Sequence, residues 1–432
     1  MTTIKPTTMT MMIKMTKAIS MDKIAKMFRA LKYRNFQLFF PGLACSQIGI
    51  WIQNVAMSWL IYELTKSPFL MGIITCLNTM PLFLLIPFGG VIADKFDRKK
   101  LLLTIQILFS LQAFLLAMVV LFDWIQIWNI IVLGVFLNSI AAIDNPLRQS
   151  MFVLVVDDPK DLGNAISLNA SCFNLARLIG PALAGIIIAN AGIKICFLVT
   201  FFCLLPAIFL VSKMQINDVK SEKIKHETIF EGLKEGVVYA LKTPQILTLL
   251  IFMAIFSSIA MIYPMLMPIY TKDILHSDAD TLGFLMSAVG IGALISALLI
   301  AAKTTIKRLR TILCTGCTIF AIAFITMGLI HSKNVALISM FVVGLGTAAF
   351  LTPVNTLIQN FVDDDKRGRI MSLNGICFMG TTSISSLIAG SIAQKIGIAN
   401  TFILFGTILL ITCVIIGYKL SRLQYVQKTK SN

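Results

Sequence analysis

The sequence predicts an all-α membrane protein with twelve transmembrane helices arranged as two six-helix pseudo-repeats. Three observations predict this fold class. First, 57% of the 432 residues are hydrophobic and only 13% are charged, whereas about a quarter of an average soluble domain is charged. Second, apolar runs recur along the chain, each close to the roughly 20 residues that a helix needs to cross a bilayer. Third, the second half of the chain repeats motifs of the first.

Twelve apolar runs result when the chain is divided at its charged and Pro/Gly-rich clusters. They cover residues 36–62, 67–93, 99–122, 126–147, 163–190, 194–212, 245–271, 279–302, 309–330, 335–358, 368–394 and 398–418. A polar stretch between the sixth and seventh runs separates two halves. The expected organisation is an N-terminal segment (1–35), a six-helix bundle (36–212), a linker (213–243), a second six-helix bundle (244–420) and a tail (421–432).

The basic residues predict the orientation of the chain in the membrane. Of the 37 Lys and Arg residues, 31 fall in the termini, the linker and the loops on one side, and Arg177 lies within a span. Since cytoplasmic loops carry an excess of Lys and Arg, we expect both termini and the linker to face the cytoplasm from an inner membrane. The net charge of +17 therefore does not indicate a nucleic-acid partner. The other side has only Lys66, Lys194, Lys272, Lys333 and Lys395.

Just before the first span, apolar residues recur at helical spacing among basic ones. Ile24, Met27, Phe28 and Leu31 form this apolar stripe. The pattern is typical of a short amphipathic helix that lies on an anionic lipid surface. A basic segment that serves only as a topology signal is an equally good interpretation.

An internal repeat relates the two halves. Residues 167–169, Ser-Leu-Asn, recur as residues 372–374, and the Gly-Ile pair at 192–193 recurs at 397–398, a shift of 205 residues in each case. The fifth span thus corresponds to the eleventh. Parallel repeats of this kind are typical of transporters in which two bundles move about a site near the bilayer midplane.

The loop between the second and third spans carries a motif. Residues 90–100 read Gly-Val-Ile-Ala-Asp-Lys-Phe-Asp-Arg-Lys-Lys. The stretch resembles the cytoplasmic loop signature of the major facilitator superfamily, G-x-x-x-D-[RK]-x-G-[RK]-[RK], with Asp97 at a position where the family most often has glycine. The resemblance implies a gate in which Arg98 pairs with an acid at the end of the fourth span. The residues of this expected gate are Gly90, Asp94, Lys95, Arg98, Lys99 and Asp144.

A second motif lies in the fifth span. The stretch with Arg177, Gly180, Pro181 and Gly185 resembles the helix-5 signature of superfamily exporters. Gly and Pro would bend this helix and allow a neighbour to pack closely, so a plain packing role is also consistent. Residues 144–149, Asp-Asn-Pro-Leu-Arg-Gln, followed by Asn174 and Arg177, resemble the branch that holds siderophore exporters, such as the enterobactin exporter, and macrolide efflux pumps.

The resemblance implies a secondary active transporter. We expect proton-driven efflux of a small organic molecule, a siderophore or an amphipathic drug, by alternating access. A facilitator that imports a metabolite or flips a lipid is the alternative. The sequence has no Walker-type motif, which argues against ATP hydrolysis. The spans also contain no carboxylate pair and no His/Cys cluster at catalytic spacing, which argues against an enzyme. We expect a monomer in a lipid bilayer, with protons and the substrate as partners and without a cofactor or a metal site.

Charges within the spans are functional candidates, because lipid does not solvate them. Arg177 either holds an anionic substrate or neutralises Asp144 across the fourth and fifth spans. Glu63 and Asp273, at the outer ends of the first and seventh spans, are further proton-site candidates. Pro264 and Pro268 predict a break near the outer end of the seventh span, which could then move as an outer gate.

A polar stripe follows one face of the first span. Gln47, Trp51, Asn54 and Ser58 recur at i, i+4, i+7 and i+11. Since lipid cannot satisfy amide groups, this stripe should face the interior, either around a substrate cavity or as hydrogen bonds between helices. The substrate-binding candidates are Gln47, Trp51, Asn54, Asn138, Asn174 and Asn374.

Overall fold

The chain folds into a bundle of long helices, as a computed structural model of its 432 residues shows. The structure describes residues 28–216, 229–303, 306–363 and 366–430, and no strand occurs among them. Its long helices are α1 (Arg34–Thr65), α2 (Pro68–Lys95), α3 (Arg98–Leu121), α4 (Ile127–Val155), α5 (Pro159–Ala191), α6 (Ile193–Ser212), α7 (Pro244–Ile274), α8 (Ala279–Lys303), α9 (Ile306–Leu329), α10 (Lys333–Phe361), α11 (Arg367–Ile396) and α12 (Ile398–Lys430).

Eleven of these helices, α2 to α12, are long and apolar enough to cross a membrane. The all-helical membrane fold expected from the sequence is therefore confirmed. α1 has 32 residues and is long enough, but Gln47, Gln53 and Asn54 make it more polar, and its crossing of the membrane stays a prediction.

The two ends of the bundle are named by their connections. We call the end that carries the connections 95–98, 155–159 and 361–367 the basic end, and the other end the opposite end.

Capping residues explain where several helices begin and end. Asp97 is the N-cap of α3 and accepts a hydrogen bond from the backbone N–H of Lys100 at 2.8 Å. This role accounts for an aspartate at a motif position where the superfamily most often has glycine. Gly192 and Gly397 terminate α5 and α11, each with φ +81°, a conformation that favours glycine. The 205-residue repeat thus places the same turn in both halves.

The two halves have the same internal packing. In the first half α1 packs on α6, α2 on α4, and α3 on α6; in the second half α7 packs on α12, α8 on α10, and α9 on α12. The halves meet along two seams, one between α2 and α11 and the other between α5 and α8. The two seams are equivalent, because α2 corresponds to α8 and α5 corresponds to α11 in the repeat. This arrangement is what two parallel six-helix repeats predict.

Several predicted boundaries differ from the helices in the structure. α4 continues to Val155, eight residues beyond its predicted end at 147, so Arg148 lies within the helix and not in a loop. α12 continues to Lys430, through most of the predicted tail at 421–432. The predicted runs ended at the last apolar residue, whereas the backbone hydrogen bonds of a helix continue into polar sequence.

Two helices are interrupted near their middle or outer part. α7 is interrupted after Ala260 and continues from Tyr263, with Pro264 in the first turn of this second part. It ends in a π-helix at Tyr270–Ile274. The break predicted from the two prolines is therefore present. α11 contains a π-helix at Ile376–Gly380, which no proline announces in the sequence.

The N-terminal segment is tied to the bundle. Residues Arg29–Lys32 form one turn of 3-10 helix. Asp161, near the start of α5, forms ion pairs with Arg29 at 3.1 Å and Lys32 at 2.6 Å, and it accepts a hydrogen bond from the Tyr33 hydroxyl at 3.0 Å. The hydrogen bond to Asp161 raises the pKa of Lys32 above its usual value. The described part of the expected amphipathic helix is thus a strap on the protein, and Ile24 and Met27 lie outside the described residues.

A short helix of the linker, Ile229–Lys242, packs on the second half. The Tyr239 hydroxyl donates a hydrogen bond to Asp363 at 2.9 Å, and Glu235 forms an ion pair with Arg369. The linker is therefore anchored beside the start of α11. Its residues 217–228 lie outside the described part of the chain.

We predict that Asp161→Asn frees the N-terminal strap. The substitution removes the carboxylate shared by Arg29, Lys32 and Tyr33, so local opening of the strap becomes more frequent. Limited trypsin digestion of the purified protein should cleave after Arg29 and Lys32 several-fold faster than in the parent. Asp157→Asn, an exposed aspartate four residues earlier, is the control; equal cleavage rates in the two variants would contradict the strap.

Candidate functional site

The first seam between the halves joins α2 to α11 through small residues. A Cβ placed on Gly72 would lie 2.6 Å from the Ser386 carbonyl oxygen and 3.1 Å from the Cα of Gly390. Next to this contact the Ser386 hydroxyl lies 3.3 Å from the Gly72 carbonyl, and Thr79 and Ser383 share a hydrogen bond at 2.9 Å. The two backbones therefore touch along this seam, as small residues allow in membranes.

The second seam joins α5 to α8 and uses the helix-5 motif. A Cβ on Gly185 would lie 2.9 Å from the Cα of Gly283, and one on Gly283 would lie 2.6 Å from the Pro181 carbonyl oxygen. Gly180 faces α1, where a Cβ would lie 2.5 Å from the Cβ of Trp51. Gly185 thus permits close packing at the boundary between the halves, and Gly180 permits it within the first half.

Both seams occupy the same part of the bundle. The α2–α11 seam begins at the opposite end, where Ser67 and Gln394 are 3.0 Å apart, and continues to Thr79. The α5–α8 seam extends from Gly185 to Gly290, whose Cβ would lie 2.8 Å from the Cα of Leu178. These contacts join the halves from the opposite end to about the middle of the four helices.

The opposite end carries a cluster of charged and aromatic side chains. The Tyr62 hydroxyl of α1 donates a hydrogen bond to Asp273 of α7, which links the halves, and Trp59 donates to Glu63 at 2.6 Å. An open cleft of about 750 Å³ lies here, lined by Trp59, Tyr62, Glu63, Lys66, Ile188, Ala189, Lys272, Asp278, Ala279 and Asp280. A hydrogen bond from Lys272 lowers the pKa of Asp278 below its usual value.

Arg177 lies near the middle of α5, where the halves meet. Its Nη2 donates to the hydroxyl of Tyr263 of α7 at 3.3 Å, and its guanidinium carbon is 6.0 Å from the ring centre of Trp51. Trp51 also contacts Phe173, with ring centres 5.9 Å apart. Phe173, Arg177 and Gly180 share one face of α5. Trp51, Arg177 and Tyr263, which the structure brings together, form the candidate substrate site.

Arg148, a buried arginine of α4, has a charged partner. Asp144 and Arg148 form an ion pair at 2.5 Å on α4, and both side chains are more than 90% buried. The alternative in which Arg177 neutralises Asp144 across α4 and α5 is therefore wrong in this structure. The gate pairing of Arg98 with Asp144 that the resemblance implies stays a prediction. Sequence reasoning missed Arg148 because it placed this residue in a loop, although the i, i+4 spacing was a signal.

The gate motif lies beside this ion pair. Gly89 of α2 packs on α4, where a Cβ would lie 3.1 Å from the Cγ of Pro146. The surroundings of Gly90 and of the Asp94 side chain are not among those that the structure describes, so the role of these residues in a gate stays a prediction. In the described part of the motif Lys95 is exposed, and Arg98 and Lys99 are half-buried.

The amide candidates have different positions. Asn138 and Asn174 donate to carbonyls one turn earlier in their own helices, at 3.0 Å and 2.8 Å. Asn374 is buried and donates to Asn355 of α10, so it joins helices of the second half. On α1 Gln47 is half-buried and Asn54 is exposed.

Two polar contacts between α1 and α3 were missed by the sequence reasoning. Gln53 donates to Gln112 at 3.1 Å, and Ser46 donates to Gln106 at 3.4 Å, all four being buried. Gln53 lies next to Asn54 of the predicted stripe. Its spacing of seven residues from Ser46, which places both on one helix face, could have predicted these contacts. In the described residues no group of three or more His, Cys, Asp or Glu side chains could hold a metal ion.

Comparison with known proteins gives consistent matches. The family of transmembrane secretion effectors matches residues 25–432 of the chain. The staphyloferrin A transporter of Staphylococcus aureus is 26% identical over 405 residues, covering 91% of this chain and 98% of that protein. The macrolide efflux protein A of Streptococcus pyogenes is 20% identical and covers 89% of this chain and 96% of its own length.

Solved structures of transporters share the fold. A bacterial homologue of the human lysosomal transporter Spinster, in an inward-facing and unoccupied conformation, superposes with a TM-score of 0.67 at 13% identity. The match covers 90% of this chain and 96% of that one. At this identity the likeness concerns the fold alone.

We predict that Asp144→Asn destabilises the protein by about 3–5 kcal/mol, because it leaves the buried Arg148 charge without its partner. Thermal unfolding in detergent measures the effect. The double variant Asp144→Asn/Arg148→Gln should be more stable than the single one, since no uncompensated charge remains. Asp123→Asn, which removes an exposed ion pair with Lys194, should change stability by less than about 1 kcal/mol; a similar loss in both single variants would contradict the prediction.

Proposed function

The chain belongs to the transmembrane secretion effector family of the major facilitator superfamily, and from this premise we propose that it exports a small organic molecule by alternating access, driven by protons. Its family and relatives are transporters, not enzymes. The proposed place is the cytoplasmic membrane, with both termini in the cytoplasm and one chain as the working unit. The staphyloferrin A transporter and the macrolide efflux protein among its relatives favour a siderophore or an amphipathic drug as the exported molecule.

The position of the two seams carries this proposal. The described contacts of α2 with α11 and of α5 with α8 close the bundle from the opposite end to about mid-membrane. With the basic end in the cytoplasm, this is the state in which an exporter takes up its substrate from the cell. Alternating access then requires the seams to separate and the halves to approach at the basic end, where the gate motif lies.

Three carboxylates are available for proton coupling. Asp144 is buried on α4 beside the gate motif, and its Oδ1 has no hydrogen-bond partner. Glu63 and Asp273 lie at the opposite end, where a proton entering from outside first meets the protein. Asp273 also holds the two halves together through Tyr62, so its hydrogen bond must break when this end opens.

Transport by inside-out membrane vesicles tests the function. Vesicles from cells that express the protein should accumulate exported molecules when their lumen is acidified, and vesicles from cells without the protein should not. The molecules to load are those that parent cells, but not deletion cells, release under iron limitation, together with a macrolide. Accumulation that ignores the imposed pH gradient would contradict proton coupling. Net uptake by intact cells that depends on the protein would favour the alternative, a facilitator that imports a metabolite or flips a lipid.

We predict that Gly72→Ala lowers transport about tenfold. The added Cβ overlaps the Ser386 carbonyl and hinders closure at the opposite end, and overpacking of this kind costs about 1–3 kcal/mol. Transport in the vesicles measures the loss, and hydrogen exchange of the adjacent segments of α2 and α11 should become faster. Gly163→Ala is the control, because a Cβ at this position meets no atom within 4 Å. Equal transport by the two variants would show that the seam need not close tightly.

A further inference from the structure

Arg177 is a cation near the middle of α5, at the boundary between the halves, without an acidic partner among the described residues. Its guanidinium offers several N–H donors, of which Nη2 reaches the neutral Tyr263 hydroxyl, while Nε is buried and has no hydrogen-bond partner. Arg148 shows the contrast, because its charge is neutralised by Asp144 one turn away. A charge in this position is costly, and such residues usually meet a partner or line a pathway.

We propose that Arg177 is the anion-recognition residue of the transport site and that the substrate is an organic anion with an apolar or aromatic part. This inference rests on the proposed transport function and names the chemical class of its substrate. Carboxylate is the simplest group that fits, since it can accept two parallel N–H donors from one guanidinium.

Aromatic side chains around Arg177 match the apolar part of such a substrate. Trp51 lies beside the guanidinium, and Phe173 contacts Trp51 one turn closer to the basic end on the same face of α5. The Phe173 side chain is 44% exposed although it adjoins the half-buried Trp51. An aromatic or alicyclic group can therefore rest on these rings while its carboxylate meets Arg177.

Tyr263 connects this site to the movement of the halves. It belongs to α7 in the second half, whereas Trp51 and Arg177 belong to the first half. The Tyr263 oxygen accepts a hydrogen bond from Arg177, which leaves its own O–H proton to donate to an anion bound beside the guanidinium. An anion at this point thus contacts both halves and biases the equilibrium between their arrangements, provided that it binds one arrangement more tightly.

Binding of a matched pair of probes to the purified, detergent-solubilised full chain tests the proposal. 2-Naphthoate carries the carboxylate, and 2-naphthamide has nearly the same shape without charge. Isothermal titration calorimetry should show naphthoate binding to the parent at least about tenfold more tightly than naphthamide, since hydrogen bonds to a charged acceptor are stronger than those to a neutral one. Equal binding of the two probes, or no binding of naphthoate, would overturn the proposal without any variant being needed.

Variants of the site supply the second measurement. Arg177→Gln should weaken naphthoate about tenfold or more and leave naphthamide unchanged, Arg177→Lys should be intermediate, and Tyr263→Phe should cause a smaller loss. Lys333→Gln, an exposed lysine at the opposite end, removes the same charge and should bind both probes like the parent. Unchanged naphthoate binding by Arg177→Gln would overturn the proposal.

The result is separable from the proposed function. Naphthoate binding that depends on Arg177, in a protein whose vesicles do not respond to a pH gradient, would contradict proton-driven export and keep the anion site. Proton-driven transport that persists undiminished in Arg177→Gln would keep export and remove the anion site.

Discussion

Close approach of helix backbones across the two seams is the constraint on which the rest of the structure depends. Lipid is as apolar as the side chains that the helices present to it, so hydrophobicity does not hold the halves together. Gly72 against Gly390 and Gly185 against Gly283 bring backbones into contact instead. Such contacts require a small residue wherever two backbones touch, and they carry no charge themselves.

The same constraint decides which polar groups the bundle tolerates. Within the first half, buried polar side chains such as Gln53 and Gln112, or Asp144 and Arg148, are partners of each other. Where the halves meet, Arg177 has a neutral partner from the opposite half and no acid among the described residues. A matched charge at this boundary would have to be separated in each transport cycle, whereas an unmatched one is free to select an anionic substrate.

The local sequence predicted the structure correctly where a single glycine or proline determines the backbone conformation. The shift of 205 residues predicted that the fifth and eleventh spans correspond, and Gly192 and Gly397 adopt the same positive φ. Pro264 predicted the interruption of α7. The π-helix in α11 was not predicted, because no residue in Ile376–Gly380 demands it and packing against α2 and α7 accompanies it. The functional branch followed from residues 144–149 together with Asn174 and Arg177, and the family match supports it.

Hydropathy, charge distribution and the internal repeat determined by themselves that the chain is a helical membrane protein built of two related halves, because lipid imposes helices of a set length and leaves charges to the loops. The tertiary structure alone decided which charges are paired. Arg148 neutralises Asp144 and leaves Arg177 to the boundary between the halves. The physical reason is that ion pairing depends on which helix faces meet within about 4 Å, and this depends on the rotation of each helix, which a hydrophobic run does not specify.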